Sequence, residues 1–505
     1  MDWNYWMIDG ILIGLSTALS IKNILMVMVG CFAGTIIGML PGLGPMTAIA
    51  LMIPITYGFE PATGLILMAG VYYGAVFGGS TSSILLNAPG VPGTVATAFD
   101  GYPMAQQGKA GKALAIAAYS SFAGGTISAI FLLFAAPSLS MISLSFRSPD
   151  YFALMILGLT AVSAFSSKGQ FLKAMMMVVL GLMLASIGQD SLSDISRFTF
   201  GNMNLSDGIS FVLIVMATFA MSEALTIIFR GKDPNRAVEQ VSLTELGSIK
   251  VSKEETIKMA KTIPRSSILG FLIGVLPGAG ATIASFLAYG MERNYVNDEE
   301  KQKFGKGSVH GLSAPETANN AACSGSFVPL LTLGIPGSGT TAVMLGALLG
   351  FGIQPGPRLY QTNPEIFWSV IMSMYIGMVV LLILNLPLIP YIARILAVPK
   401  NFLIPLILFF SITGIYLMSF NNFDIYLMIG IAVLATFLRL YNFPMPPLIL
   451  AFVLGKLMEE NLRRSLLISG GSFNFLWDRP LTLIILLVTA AIVIWQIYSS
   501  FRKKS

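Results

Sequence analysis

The sequence predicts an all-α polytopic membrane protein made of two structural repeats, inverted relative to one another, each with a broken helix and a re-entrant hairpin. Three observations carry this. The chain of 505 residues is 55% hydrophobic and 11% charged, with a mean hydropathy of +0.77, far more apolar than a soluble protein of that length. Charge-free runs such as 23–59, 61–99, 113–146, 317–357 and 366–393 are long enough for roughly 10 to 13 spans at about 20 residues each. Finally, Gly34-x-x-Ile37-Gly38-x-Leu40-Pro41-Gly42-x-Gly44 returns as Gly270-x-x-Ile273-Gly274-x-Leu276-Pro277-Gly278-x-Gly280, 236 positions on (274 − 38).

From the N-terminus, Met1 to Ala18 lacks a basic leader and a small-residue cleavage site, so this segment is expected to stay. The first repeat, with its leading segment, is assigned to 1–230. Gly34 and Gly38 have the spacing that lets membrane helices approach closely. Pro41-Gly42 then breaks the helix, which in lipid would strand backbone N–H and C=O groups and therefore places the break against protein or a water-filled cavity. Next, Gly78 to Thr94 reads as a helix, a Pro-Gly reversal and a second short helix: a re-entrant hairpin with Ser80 to Ser83 and Asn87 as neutral donors and acceptors. Asp100-Gly101-Tyr102-Pro103, followed by Lys109 and Lys112, reads as a solvated turn, with a substrate role as the alternative.

Residues 230–265 hold eight basic and five acidic residues, the longest charged interval. The positive-inside rule makes it cytoplasmic, together with the Arg502-Lys503-Lys504 tail. A linker is assigned to 231–262, the second repeat to 263–462, and an extra C-terminal span with the basic tail to 463–505. Inversion requires the segment ahead of the first repeat to be periplasmic, and Lys22 is the only basic residue before Lys109.

In the second repeat, Gly334-Ile335-Pro336-Gly337-Ser338-x-x-Thr341 echoes Gly90-Val91-Pro92-Gly93-Thr94-x-x-Thr97, 244 positions apart (334 − 90). Paired helix breaks in two halves mark a transporter site, where half-helix ends face an anion or a cation. Glu316, in Ala314-Pro315-Glu316-Thr317-Ala318-Asn319-Asn320, reads either as a cation ligand, proton carrier or gate, or as a helix cap at the interface beside His310 and Lys306 in a solvated loop. Cys31 and Cys323 predict no disulfide, and a single histidine excludes a His-rich metal site. The net charge of +6 is loop bias, without the basic aromatic stripe of a nucleic-acid binder. A channel lacks its filter signature here, and a membrane enzyme lacks clustered acids or a nucleophile–base pair.

The substrate contacts expected from this pattern are Ser80, Thr81, Ser82, Ser83, Asn87, Gly93, Thr94, Asn319, Asn320, Ser324, Gly337 and Ser338. A coupling cation is expected at Pro41, Gly42, Gly44, Thr47, Pro277, Gly278, Gly280, Thr282, Thr332 and Thr341. No Arg or Lys lies within 34–99 or 317–357, so a carboxylate there would rest on hydroxyls, amides, backbone N–H groups and the bound cation. Sodium is the expected coupling ion, the proton its alternative, and no other cofactor is called for.

The run Gly38 to Pro45, Tyr73 to Asn87, Asp100 to Ala105 and Ala314 to Asn320, in this order, resembles the large membrane subunit of the tripartite tricarboxylate transporters over about Ile21 to Leu462. The resemblance implies cation-driven uptake of citrate, another di- or tricarboxylate or an aromatic acid by alternating access, in a bacterial inner membrane. It also implies two partners, a small four-helix membrane subunit and a periplasmic solute-binding protein that delivers the substrate.

Overall fold

The computed structural model describes residues 3–40, 43–164, 170–190, 195–230, 247–278, 280–392 and 400–501. Pro41 and Gly42 of the first break, the first half of the expected linker (231–246) and the Arg502-Lys503-Lys504 tail lie outside these residues. The chain is helical almost throughout. Trp3–Ala18 (α1) leads into Ile21–Met39 (α2), Gly44–Thr56 (α3), Pro61–Leu86 (α4), Val95–Met104 (α5), Ala110–Ser143 (α6), Ser148–Ala164 (α7) and Phe171–Ala185 (α8). A two-stranded ribbon, Gly188–Gln189 (β1) with Ser196–Arg197 (β2), precedes Phe211–Val215 (α9), a π-helical turn at Met216–Met221 and Ser222–Arg230 (α10).

After the linker come Lys253–Val275 (α11), Gly280–Tyr295 (α12), Asp298–Lys301 (α13), Val309–Gly325 (α14), Phe327–Leu333 (α15) and Gly339–Gly350 (α16). The remainder is Leu359–Thr362 (α17), Pro364–Asn385 (α18), Ile389–Ile392 (α19), Lys400–Ser419 (α20), Asn422–Leu440 (α21), Pro446–Ile468 (α22), Phe475–Asp478 (α23) and Pro480–Phe501 (α24). Six helical stretches are long and apolar enough to span a bilayer, and six shorter apolar helices accompany them among the described residues. The protein is a multi-pass membrane protein.

Helix α11 begins at Lys253, so the last ten residues assigned to the linker are helical. The sequence explains the start: Ser252 caps the helix and Glu255 closes a capping box with it.

The two Leu-Pro-Gly breaks have matched backbones. Helix α2 ends at Leu40 with φ −79° and ψ 114°, and α11 ends at Leu276 with φ −76° and ψ 123°. In each, the cap N–H reaches back three residues, to Ile37 O and to Ile273 O. Gly44 and Gly280 then restart the chain at φ 65° and 62°, a left-handed conformation that glycine adopts without a Cβ penalty.

Glycines decide how these helices pack. Gly34 and Gly38 press against Val71 and Ala75 of α4 so closely that a Cβ on either would overlap a backbone carbonyl, and Gly270 and Gly274 do the same against Ala318 and Ala322 of α14. The residue order in these contacts makes α2 parallel to α4 and α11 parallel to α14. The two pairs oppose each other: Tyr73 stacks on Phe327 at 5.9 Å and Ser80 meets Glu316 at 2.7 Å, so α4 runs antiparallel to α14 and α15. Helix α4 is the centre of the molecule, with 24 of its 26 residues buried, and it faces protein on all sides rather than lipid.

Helix α6, 34 residues and about 51 Å long at 1.5 Å per residue, sets two poles. Lys112–Glu255 (3.0 Å) and Lys258–Glu300 (3.0 Å) lie at the linker pole. Following the chain through the spans puts Lys22–Glu60 (3.7 Å), Arg463–Asp190 (2.7 Å) and Arg479–Asp150 (2.6 Å) at the other.

Candidate functional site

The two helix breaks and the two Pro-Gly loops pack together. Asn87 caps α4 at φ 49°, and Gly334 caps α15 at φ 67°. From there, Gly90 sits against Gly38 O, while Gly337 approaches Gly274 O and its own carbonyl accepts the Gly278 N–H at 3.0 Å. Each loop therefore packs on the break of its own half.

Glu316 is the chemical centre. It lies two turns inside α14, is 0% exposed, and accepts hydrogen bonds from Ser80 (2.7 Å), Ser121 (2.8 Å) and Thr97. None of the ion pairs among the described residues involves it. A carboxylate so deeply buried either carries a proton or lies beside a bound cation. The reading of Glu316 as an interfacial cap beside solvated loop is overturned, because α4, α5 and α6 all close over it. His310 is buried as well, its Nδ1 2.7 Å from Thr262 Oγ1 and 3.1 Å from Glu292, which pairs with Arg265 at 2.7 Å.

Unsatisfied amides flank the carboxylate. Asn319 and Asn320 are 0% exposed; neither polar atom of the Asn319 side chain has a partner, and Asn320 donates to Glu316 O at 3.0 Å while its Oδ1 has none. Ser324 Oγ, one turn on, is also without a partner. Buried groups of this kind are rare and call for a ligand, an ion or water. Gly93 faces Asn319 so closely that a Cβ would overlap its Oδ1, bringing the first loop onto the second half's asparagines. Oxygen groups of this kind suit a hard monovalent cation or an anion's hydroxyl and carboxyl groups, and no cluster of three His, Cys, Asp or Glu exists among the described residues for a transition metal.

Other expected site residues serve structure. Ser82 and Ser83 bond back to Gly79 O at 3.1 and 2.9 Å, and Thr94 bonds Gly79 O, Val91 O and Ser83, tying the loop to α4. Ser338 and Thr341 form a reciprocal cap for α16, and Thr332 bonds Val328 O at 2.8 Å. Thr81 is buried on α4. Asn87 is exposed; its position is that of a left-handed helix cap, which asparagine tolerates, and the structure does not bring it to the cluster. Pro277, Gly278, Gly280 and Thr282 are half-buried at the second break.

Sequence reasoning missed Thr97 and Ser121 as partners of Glu316. Thr97 was legible as the echo of Thr341; Ser121, 195 residues from Glu316 in sequence, was not. Asp100 is corrected too. It is fully buried on α5, where its carboxylate accepts the N–H groups of Gly305, Gly307 and Ser308 at 2.7 to 2.9 Å and the Tyr289 hydroxyl at 3.0 Å. Asp100→Asn is expected to lower stability by about 1–3 kcal/mol through these lost charge-assisted bonds, seen as a drop in the thermal midpoint in detergent; an unchanged midpoint would contradict the role.

A cavity of about 550 Å³ opens at the first break, lined by the start of α3, Pro89 to Pro92, Val95, Phe219, Glu223, Arg439 and residues 443–446. Gly44 and Thr47 are in its wall. Another, of about 410 Å³, lies at the far end of α22 by Arg463 and Gly470, away from the breaks.

Opposed helix pairs each broken at a Leu-Pro-Gly step, buried polar groups without partners and a cavity at the first break define a membrane transporter class of protein. The family description "Tripartite tricarboxylate transporter TctA family" matches residues 24–450, and the chain belongs to that family. It is similar to the "Uncharacterized 52.8 kDa protein in TAR-I ttuC' 3'region" of Agrobacterium vitis, 42% identical over 99% of this chain and 98% of that one. It is also similar to the "Uncharacterized protein in TAR-II ttuC' 3'region" of the same organism, 41% identical over 46% of this chain and 96% of the relative. No solved structure matches.

Proposed function

We propose that the chain takes up a di- or tricarboxylate by alternating access, coupled to an inward cation gradient, with sodium as the cation. The single observation that carries this reading is Glu316, a fully buried carboxylate ringed by three hydroxyls, set between opposed broken helix pairs. A cation there neutralises the carboxylate, and Ser80, Thr97, Ser121 and Asn320 Oδ1 supply neutral oxygens around it. Half-helix carbonyls at Pro277 and Gly278 offer the same chemistry at the second break, and Asn319, Ser324 and Gly93 face the substrate.

The antiparallel run of α4 against α14, and the matched breaks at Leu40 and Leu276, support inverted repeats whose loops act as re-entrant hairpins. A core of these elements would move against the remaining helices and open one site to either face. Basic residues at the linker pole, among them Lys109, Lys112, Lys253, Lys258 and Lys303, support a cytoplasmic linker and C-terminus in a bacterial inner membrane. A small four-helix subunit and a periplasmic solute-binding protein complete the system.

The test is uptake of radiolabelled citrate, succinate and an aromatic acid into proteoliposomes that hold this chain with both partners. An inward sodium gradient is expected to drive accumulation, and a pH gradient alone is not. Accumulation on the pH gradient alone would replace sodium by the proton at Glu316. No uptake of citrate, succinate or an aromatic acid under either gradient would sink the carboxylate reading.

A further inference from the structure

The expectation that no cationic side chain helps to hold the anion came from the motif stretches alone, and the cavity beside them adds one from elsewhere in the chain. Arg439, in the last turn of α21, lines that cavity of about 550 Å³. Its Nη1 lies 2.5 Å from Glu223 Oε2 on α10, its Nη2 donates to Thr218 O at 2.9 Å, and the guanidinium stands 5.7 Å from the centre of the Phe219 ring. Thr218 and Phe219 belong to the π-helical turn Met216–Met221, an irregularity that frequently accompanies function.

Across the cavity, α3 begins at Gly44. The first turn of this 13-residue helix, from Gly44 to Thr47, and with it the positive end of the helix dipole, lines that wall. An arginine and a helix N-terminus facing one cavity favour an anion. The same geometry argues against a cation at Gly44 and Thr47, the places where the first break was expected to hold one.

We propose that Arg439 is the cationic anchor for a carboxylate of the transported di- or tricarboxylate, and that Glu223 is the internal anion that holds the guanidinium when no substrate is bound. This rests on the carboxylate reading above. The arriving carboxylate competes with Glu223 for one guanidinium, so the pair is an exchange contact in which net charge at the arginine is balanced before and after binding. Arg439 stands at the linker-pole end of α21, against the first turn of α10, which places the anchor on the path by which substrate leaves toward that side. Longer acids, with a second carboxylate free to reach Asn319 and the Glu316-bound cation, should benefit most.

Competition gives the two partners opposite signs. Arg439→Gln removes the anchor, while Glu223→Gln removes its competitor. The experiment is equilibrium binding of radiolabelled citrate and succinate to the full-length purified chain in sodium-containing buffer, for the wild type, Arg439→Gln, Arg439→Lys and Glu223→Gln. Arg439→Gln is expected to weaken citrate by about tenfold to a hundredfold, as loss of a charge-assisted contact does, and Arg439→Lys to recover part of it. Glu223→Gln is expected to tighten citrate severalfold.

A purely structural ion pair would make both glutamine variants weaken binding alike, or leave binding unchanged, and either result overturns the anchor while wild-type binding stands. Wild-type protein that binds neither acid overturns the carboxylate reading itself. Thermal stabilisation by sodium, measured on the same samples, is expected to survive in Arg439→Gln, which keeps a folded cation site distinguishable from a collapsed chain.

Discussion

Glu316→Gln is expected to abolish sodium-driven uptake and the thermal stabilisation of the purified chain by sodium, while leaving the protein folded. Glutamine matches the volume of glutamate and its amide oxygen still accepts from Ser80 or Ser121. What it removes is the negative charge that makes a buried cation tolerable. Without that charge the hydroxyls and Asn320 are too weak to replace a cation's hydration, because burial of an uncompensated ion costs several kcal/mol. Thr97→Ala, which keeps the carboxylate and deletes one oxygen, should weaken sodium by about tenfold to a hundredfold, in line with about 1.5–3 kcal/mol per lost hydrogen bond to a charged group. Sodium stabilisation that persists unchanged in Glu316→Gln would remove the cation from this cluster.

The largest effect on stability is expected at the glycine seams. In Gly38→Leu the new side chain has nowhere to go, since even its Cβ would overlap Ala75 O on α4 and Gly38 O itself meets Gly90 of the first loop. Overpacking of a rigid seam costs about 1–3 kcal/mol for a few added atoms; a leucine wedge between two backbones stands at or above the top of that range. Gly274→Leu against Ala322 O should behave alike. The expected readout is failure to recover monodisperse protein from the membrane, whereas Gly430→Leu on α21, with nothing within 4 Å of its Cβ direction, serves as the tolerated control. Normal yield and thermal midpoint for Gly38→Leu would contradict the close approach.

The sequence carried the breaks and the seams because both are local signals: Pro-Gly interrupts a helix wherever it falls, and Gly34, Gly38, Gly270 and Gly274 repeat at one helical turn. The position of Glu316 was ambiguous for the opposite reason. Its burial depends on Ser121 of α6 and Ser80 of α4, which arrive from 195 and 236 residues away. Asp100 and His310 were misread by the same default, that a polar residue at the edge of an apolar run is solvated. Both are instead enclosed by partners distant in sequence, the 305–308 amides for one and Glu292 for the other. Asn87 failed in the other direction, since its side chain suggested a ligand while its left-handed backbone at φ 49° is what the position requires. Arg439 escaped notice because it bounds a charge-free run rather than interrupting one, and only the fold brings α21 to the first break.

The central claim is that one site holds cation and carboxylate together. Linkage makes that claim quantitative, because the factor by which sodium tightens citrate must equal the factor by which citrate tightens sodium. The measurement is citrate affinity on the purified chain across a sodium titration, with potassium holding ionic strength constant, paired with sodium affinity across a citrate titration. The structure predicts a reciprocal factor of about tenfold or more, corresponding to about 1.4 kcal/mol of coupling, and its loss in Glu316→Gln. Citrate affinity that is the same in sodium and in potassium would contradict a shared site.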